Sequence, residues 1–72
     1  MQVYELIFEV TETCNNGNER RKKVSVYSTP FRNGRFVIER DRVNEGIELL
    51  KQQHYYNIKH IKTKLKTLLF TE

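Results

Sequence analysis

Residues 2–11, QVYELIFEVT, constrain the fold more than any other stretch. Tyr4, Leu6, Phe8 and Val10 fall on one side of a two-residue period, and Glu5 and Glu9 fall on the other beside Val3 and Ile7. That alternation belongs to a β-strand with one apolar face, and its β-branched and aromatic content agrees. A strand of this kind needs partner strands, and it needs a layer to cover its apolar side. With 72 residues there is room for one small core. A sheet carrying one helix satisfies both demands.

CNNGN at 14–18 is a turn signal, because Asn and Gly tolerate positive φ, and KKVSVYST at 22–29 reads as the returning strand. The possible registers differ in which side chains they bring together. A two-residue turn at Asn16-Gly17 sets Phe8 opposite Ser25 and Val10 opposite Lys23. A shift of one sets Phe8 opposite Val26 and Val10 opposite Val24, which matches the apolar faces. Since a one-residue slip inverts every side chain, a bulged or longer loop with an odd residue count is expected.

Pro30 cannot donate to a ladder, so the second strand lies at an edge or bulges there. In FRNGRF at 31–36, a two-residue turn at Asn33-Gly34 sets Phe31 across from Phe36, and a short third strand over roughly 35–39 follows. Asp41 is placed to cap a helix over 42–53. Its apolar stripe is Val43, Ile47 and Leu50, widened by Leu49. Gly46 costs such a helix about 1 kcal/mol relative to Ala, and a close approach to the sheet is the expected compensation. Residues 57–70 fit two templates. A helix collects Ile58, Ile61, Leu65, Leu68 and Leu69. A strand collects Ile61, Thr63, Leu65, Thr67 and Leu69, with Lys62, Lys64 and Lys66 opposite. The threonines are weak helix formers and the sheet needs a further strand, so the strand is preferred, entered through Tyr55 and Tyr56. The expected fold is a single α+β domain over residues 1–72, an antiparallel sheet with one packed helix in the order β-β-β-α-β. Its core should contain Leu6, Phe8, Val26, Ile47 and Leu50.

The charged fraction is 31% and the formal net charge +4, which favours acidic partners. Four basic segments stand out: ERRKK at 19–23, RNGR at 32–35, ERDR at 39–42 and the alternating lysines. Candidate phosphate contacts are Arg20, Arg21, Lys22, Lys23, Arg32, Arg35, Lys62, Lys64 and Lys66. Alternate strand residues lie about 6.6 Å apart, so the lysines present charge at regular steps along a nucleic-acid backbone. Tyr27, Phe31, Phe36, Tyr55 and Tyr56 supply stacking surfaces where they are exposed. The competing use of such lysines is to keep a sheet face or edge soluble.

The residues argue against catalysis. His54 and His60 have no metal-ligand spacing, and Cys14 is the lone thiol, so neither a thiolate zinc site nor an internal disulfide is expected. Glu5 and Glu9 are about 13 Å apart by strand rise, too far to work as a carboxylate pair. The glycines, at 17, 34 and 46, are isolated and make no phosphate-cradling loop. No cofactor or metal is expected, and no stretch carries a recognisable family signature. Glu5, Glu9 and Glu12 rule out a signal peptide in residues 1–13, and no apolar run reaches the ~20 residues of a membrane span. A lone cysteine suits the cytoplasm. The expectation is a small non-enzymatic basic module contacting nucleic-acid phosphates. The alternative is a protein-binding modulator that meets an acidic protein surface, such as an inhibitor or adaptor encoded by a phage or other mobile element. A homodimer through a sheet edge is compatible with either. If residues 57–70 were helical, they would form a basic amphipathic segment suited to a membrane surface or a partner's groove.

Overall fold

The computed structural model describes residues 2–67. Strand β1 (Gln2–Thr13) is central, flanked by β2 (Glu19–Ser28) and β5 (Tyr56–Thr67) in an antiparallel sheet of order β2-β1-β5. Between β2 and the helix, β3 (Phe31–Arg32) and β4 (Arg35–Phe36) form a separate two-stranded hairpin. Helix α1 spans Glu39–Gln52. The α+β architecture with one helix agrees with the sequence reading, as does the strand at 57–67. Leu68 and Leu69 of that reading lie outside the described residues. The expected third strand over 35–39 is corrected: only Arg35 and Phe36 pair, and they pair with β3 rather than with the main sheet.

The β1–β2 hairpin has the expected odd loop but a different register. Leu6 faces Val26, Phe8 faces Val24 and Val10 faces Lys22, two residues away from the expected pairing. The loop explains the shift. The Cys14 N–H donates to Asn18 O (2.7 Å) and the Gly17 N–H to Cys14 O (2.9 Å), leaving Asn15, Asn16 and Gly17 as a three-residue connection. A type I turn followed by one left-handed residue builds this loop, and Gly17, at φ 84°, takes the left-handed place. Because Gly17 must stand third, the strands pair around Asn16. Parity is preserved, so every side chain keeps the face expected of it. At the second turn, Asn33 (φ 52°) and Gly34 (φ 77°) are both left-handed, as a type I′ turn requires, and Phe31 pairs with Phe36.

Tyr4, Leu6, Phe8 and Val10 of β1 are buried under α1 and the β3–β4 hairpin, together with Leu50. Val24, Val26, Val43, Ile47, Tyr55 and Ile58 surround them, half-buried. Val26 and Ile47 are thus flanks of the core rather than its centre. The residues of α1 turned to the sheet are Arg42, Gly46 and Leu50. At Gly46 the backbone comes so close that an added Cβ would lie 3.0 Å from Phe8 Cζ. This approach rolls the helix and leaves Leu49, expected in the stripe, exposed. The helix also begins earlier than expected. Ile38 is the N-cap and makes no side-chain capping bond. Asp41 therefore sits inside the first turn with Glu39, where the helix dipole favours acidic groups.

The C-terminus of α1 closes in a Schellman motif. The Tyr55 N–H donates to Leu50 O (3.1 Å) and the His54 N–H to Lys51 O (3.0 Å), with His54 left-handed at φ 71°. The chain is thereby returned to the sheet as β5, and Tyr55 packs against the core that contains Leu50. Buried Arg42 ties the small hairpin to the helix: Nη2 donates to Phe31 O (3.2 Å) and Nη1 to Glu45 Oε2 (2.8 Å). Among the described residues no helix is long and apolar enough to cross a membrane.

Candidate functional site

One face of the sheet carries the helix and the small hairpin. The other face displays the odd-numbered residues of β1 and their cross-strand partners. Val3, Glu5, Ile7 and Glu9 run down its centre, with Tyr27, Ser25, Lys23 and Arg21 from β2 on one side. Lys66, Lys64 and Lys62 from β5 face Val3, Glu5 and Ile7 on the other. A register shift between Ile7 and Phe8 inserts Ile61 as an extra residue, after which His60 faces Phe8 and Lys59 faces Glu9. Strict alternation would set Lys59 on the opposite face from Lys62. The bulge brings it onto the same face and turns His60 toward the helix, against the Phe8 ring at 5.5 Å between centroids.

Glu5 anchors this face. It is only 8% exposed, and its carboxylate takes three partners. Lys66 Nζ lies 2.8 Å from Oε1, and Tyr27 Oη (3.0 Å) and Ser25 Oγ (3.2 Å) donate to Oε2. The bond from Lys66, helped by that from Tyr27, pulls the carboxyl from 4.5 down to about 2. The same bonds raise Lys66 and Tyr27 above their ordinary values. Tyr27 remains 61% exposed, because only its hydroxyl is engaged.

The nine sequence-predicted cations are divided by the fold. Arg21, Lys23, Lys62, Lys64 and Lys66 share the open face, where Arg21 pairs with Glu9 and Lys66 with Glu5. Arg20 and Lys22 alternate to the helix side, and both bind Glu12. Lys22 Nζ also lies 5.0 Å from the centroid of the Tyr55 ring. Arg32 and Arg35 stand in the β3–β4 hairpin on the helix side, with Arg32 paired to Glu45. Arg20, Lys22, Arg32 and Arg35 are therefore not joined to the others in a single basic surface. Lys23, Lys59, Lys62 and Lys64 are exposed on the open face and make no ion pair with a described residue. Lys59 was missed by alternation. The signal that marks it is the pair Ile58 and Ile61, whose three-residue spacing cannot fit one face of a regular strand.

The aromatic candidates also separate. Tyr27 stands on the open face, across β1 from the lysines of β5. Tyr56 lies at the far end of the same face opposite Thr11, half-buried, with its hydroxyl 3.2 Å from Thr13 Oγ1. Tyr55 is taken up by the core. Phe31 and Phe36 pack edge to face at 5.8 Å on the helix side and remain more than half exposed. Phe36 also packs edge to face with Tyr4, at 6.4 Å between ring centroids. Among the described residues no three of His, Cys, Asp or Glu gather closely enough to hold a metal ion. Comparison of the chain with protein-family models, curated proteins and solved structures yields no match.

Proposed function

We propose that the protein is a non-enzymatic binding module whose open sheet face contacts nucleic-acid phosphates. The observation that supports this reading is the row of Lys59, Lys62 and Lys64 along β5, with Lys23 across the sheet. None of these four forms an ion pair with a described residue, whereas the neighbouring cations on the same face are neutralised by Glu5 and Glu9. Lysines held on a rigid strand, opposite the alternate β1 residues Glu5, Ile7 and Glu9 and so about 6.6 Å apart, neutralise successive phosphates without ordering a loop. A lone free thiol at Cys14 suits a reducing compartment such as the cytoplasm, where such a module meets nucleic acid.

The test compares two variants of equal net charge. Lys62→Gln/Lys64→Gln removes charge from the open face, and Arg35→Gln/Arg40→Gln removes it from the helix side. Only the first should weaken binding to a labelled nucleic acid at low salt. Equal losses would reduce the effect to net charge, and an undiminished lysine variant would make these lysines a device for keeping an edge strand soluble.

A second reading, a protein-binding modulator, draws on a different feature. Phe31 and Phe36 form an exposed aromatic pair on the helix side, in the hairpin that carries Arg35, and Ile38 at the start of α1 is exposed as well. Soluble monomers seldom leave large apolar patches uncovered. A partner that co-purifies despite nuclease treatment and is lost in Phe31→Ser/Phe36→Ser would favour this reading over the first.

A further inference from the structure

We infer that the open face is built for single-stranded rather than duplex nucleic acid, with an unpaired base seated on the Tyr27 ring and the backbone running along the lysines of β5. This rests on the phosphate-contact reading above and narrows it to one class of ligand.

The geometry of Tyr27 carries the argument. It stands on β2 directly opposite Glu5 on β1, and its hydroxyl donates to Glu5 Oε2 at 3.0 Å. To make that bond the side chain must lean across the sheet toward the central strand instead of standing away from it. Glu5 is fixed in turn by Lys66 from the opposite edge and by Ser25. The ring is thus tethered at its far end, yet 61% of the residue is open to solvent. An aromatic surface held in place in the free protein loses little freedom when a base stacks on it.

Charge and spacing set the direction of the strand. The lysines without an ion pair to a described residue concentrate on β5, at Lys59, Lys62 and Lys64, while the centre of the face carries Glu5 and Glu9. Phosphates are therefore favoured along one edge rather than across the middle. Tyr27 lies two inter-strand spacings, about 9.5 Å, from that edge. A nucleotide with its backbone over β5 reaches across this distance with its base. A base in a duplex cannot do so, because both of its faces are occupied by its own stack. Stacking on an aromatic ring accepts any base, so no strong sequence preference is expected.

The experiment is fluorescence anisotropy at low salt, with a labelled oligo(dT) and a labelled hairpin duplex carrying the same number of phosphates. Tyr27→Leu should weaken oligo(dT) binding by about 5- to 150-fold, the span of base–aromatic stacking, and leave duplex binding within about twofold. Tyr27→Phe, which keeps the ring but loses its tether to Glu5, should bind oligo(dT) with an affinity between those of the parent and Tyr27→Leu. A readout independent of any substitution is the proton spectrum of the parent protein: the Tyr27 ring resonances should move upfield on titration with oligo(dT). If Tyr27→Leu weakens both probes alike or neither, and the ring resonances stay in place, the single-strand inference fails while the phosphate reading stands. If the parent binds neither probe, both fail together.

Discussion

At the scale of single residues, the pairing of Glu5 illustrates how a carboxylate is retained at the centre of a sheet. Burial of a charge is costly unless it is matched, and here Lys66, Tyr27 and Ser25 match it from both flanking strands. The carboxyl is depressed from 4.5 to about 2, so its contribution to stability is complete above the higher value and is lost as pH falls through the lower one. Glu12, bound chiefly by Arg20, and Glu45, bound chiefly by Arg42, are depressed in the same direction and share the acid side of this window. Glu5→Gln should therefore unfold at a lower temperature than the parent at neutral pH. The gap should narrow as pH falls toward 2, in thermal melts followed by circular dichroism. A constant gap at every pH would show that the Lys66 bond is not what stabilises the site. Gly46 is the second residue with a sharp expectation. An added Cβ meets Phe8 Cζ at 3.0 Å and Cε2 at 3.2 Å, and Phe8 is fully buried. Overpacking of about 1–3 kcal/mol should exceed the helix-propensity gain of about 1 kcal/mol, so Gly46→Ala should lower the unfolding midpoint. A raised midpoint would mean that the Phe8 ring yields freely.

At the scale of elements, the turns decide what each strand can do. His54 occupies the left-handed position of the Schellman motif, a place where glycine is ordinarily preferred. The left-handed conformation costs a residue with a Cβ about 1–2 kcal/mol, and the added freedom of glycine in the unfolded chain takes part of that back. His54→Gly should accordingly stabilise the protein by about 0.5–1 kcal/mol in chemical denaturation, and a loss would indicate that the imidazole makes a contact that matters. The same local rules explain what the sequence made legible. Alternation in residues 2–11 specified which side chains of β1 face the helix, while Val3, Glu5 and Thr11 are buried on the other face as well, and parity arguments specified an odd loop. The register itself was hidden, because it depends on which of three consecutive loop residues takes positive φ. Asn-Gly at 33–34 was transparent because a type I′ turn needs two such residues and both are present. The start of α1 was misjudged for a tertiary reason. Ahead of it, the Val37 N–H reaches back to Pro30 O at 2.7 Å, and the chain turns into the helix at Ile38, before Asp41 is reached.

At the scale of the whole molecule, the sheet is a divider with different surroundings on its two sides. One side is consumed in holding the fold: Tyr4, Leu6, Phe8 and Val10 lie under the helix and hairpin, with Arg20, Lys22 and Arg32 bound to carboxylates around them. The other side has no covering layer among the described residues and carries Tyr27 and the lysine row. Half of this arrangement could be read from the sequence, since Lys62, Lys64 and Lys66 do share a face as their alternation implied. The neutralisation of Lys66 and the diversion of Arg20 and Lys22 could not be read, because cross-strand partners follow from register. Lys59 was concealed by the bulge at Ile61. The central claim is that the remaining lysines of β5 neutralise phosphates. Its most direct test is the slope of log K against log salt concentration for nucleic-acid binding, measured for the parent and for Lys59→Gln/Lys62→Gln/Lys64→Gln. Each lost contact should flatten the slope by about 0.7 with a single strand, so the triple variant should differ from the parent by about 2 units. Exposed lysines contribute little to folding, and its thermal midpoint should stay close to that of the parent. Equal slopes for the two proteins, or a parent that binds no nucleic acid at low salt, would contradict the account.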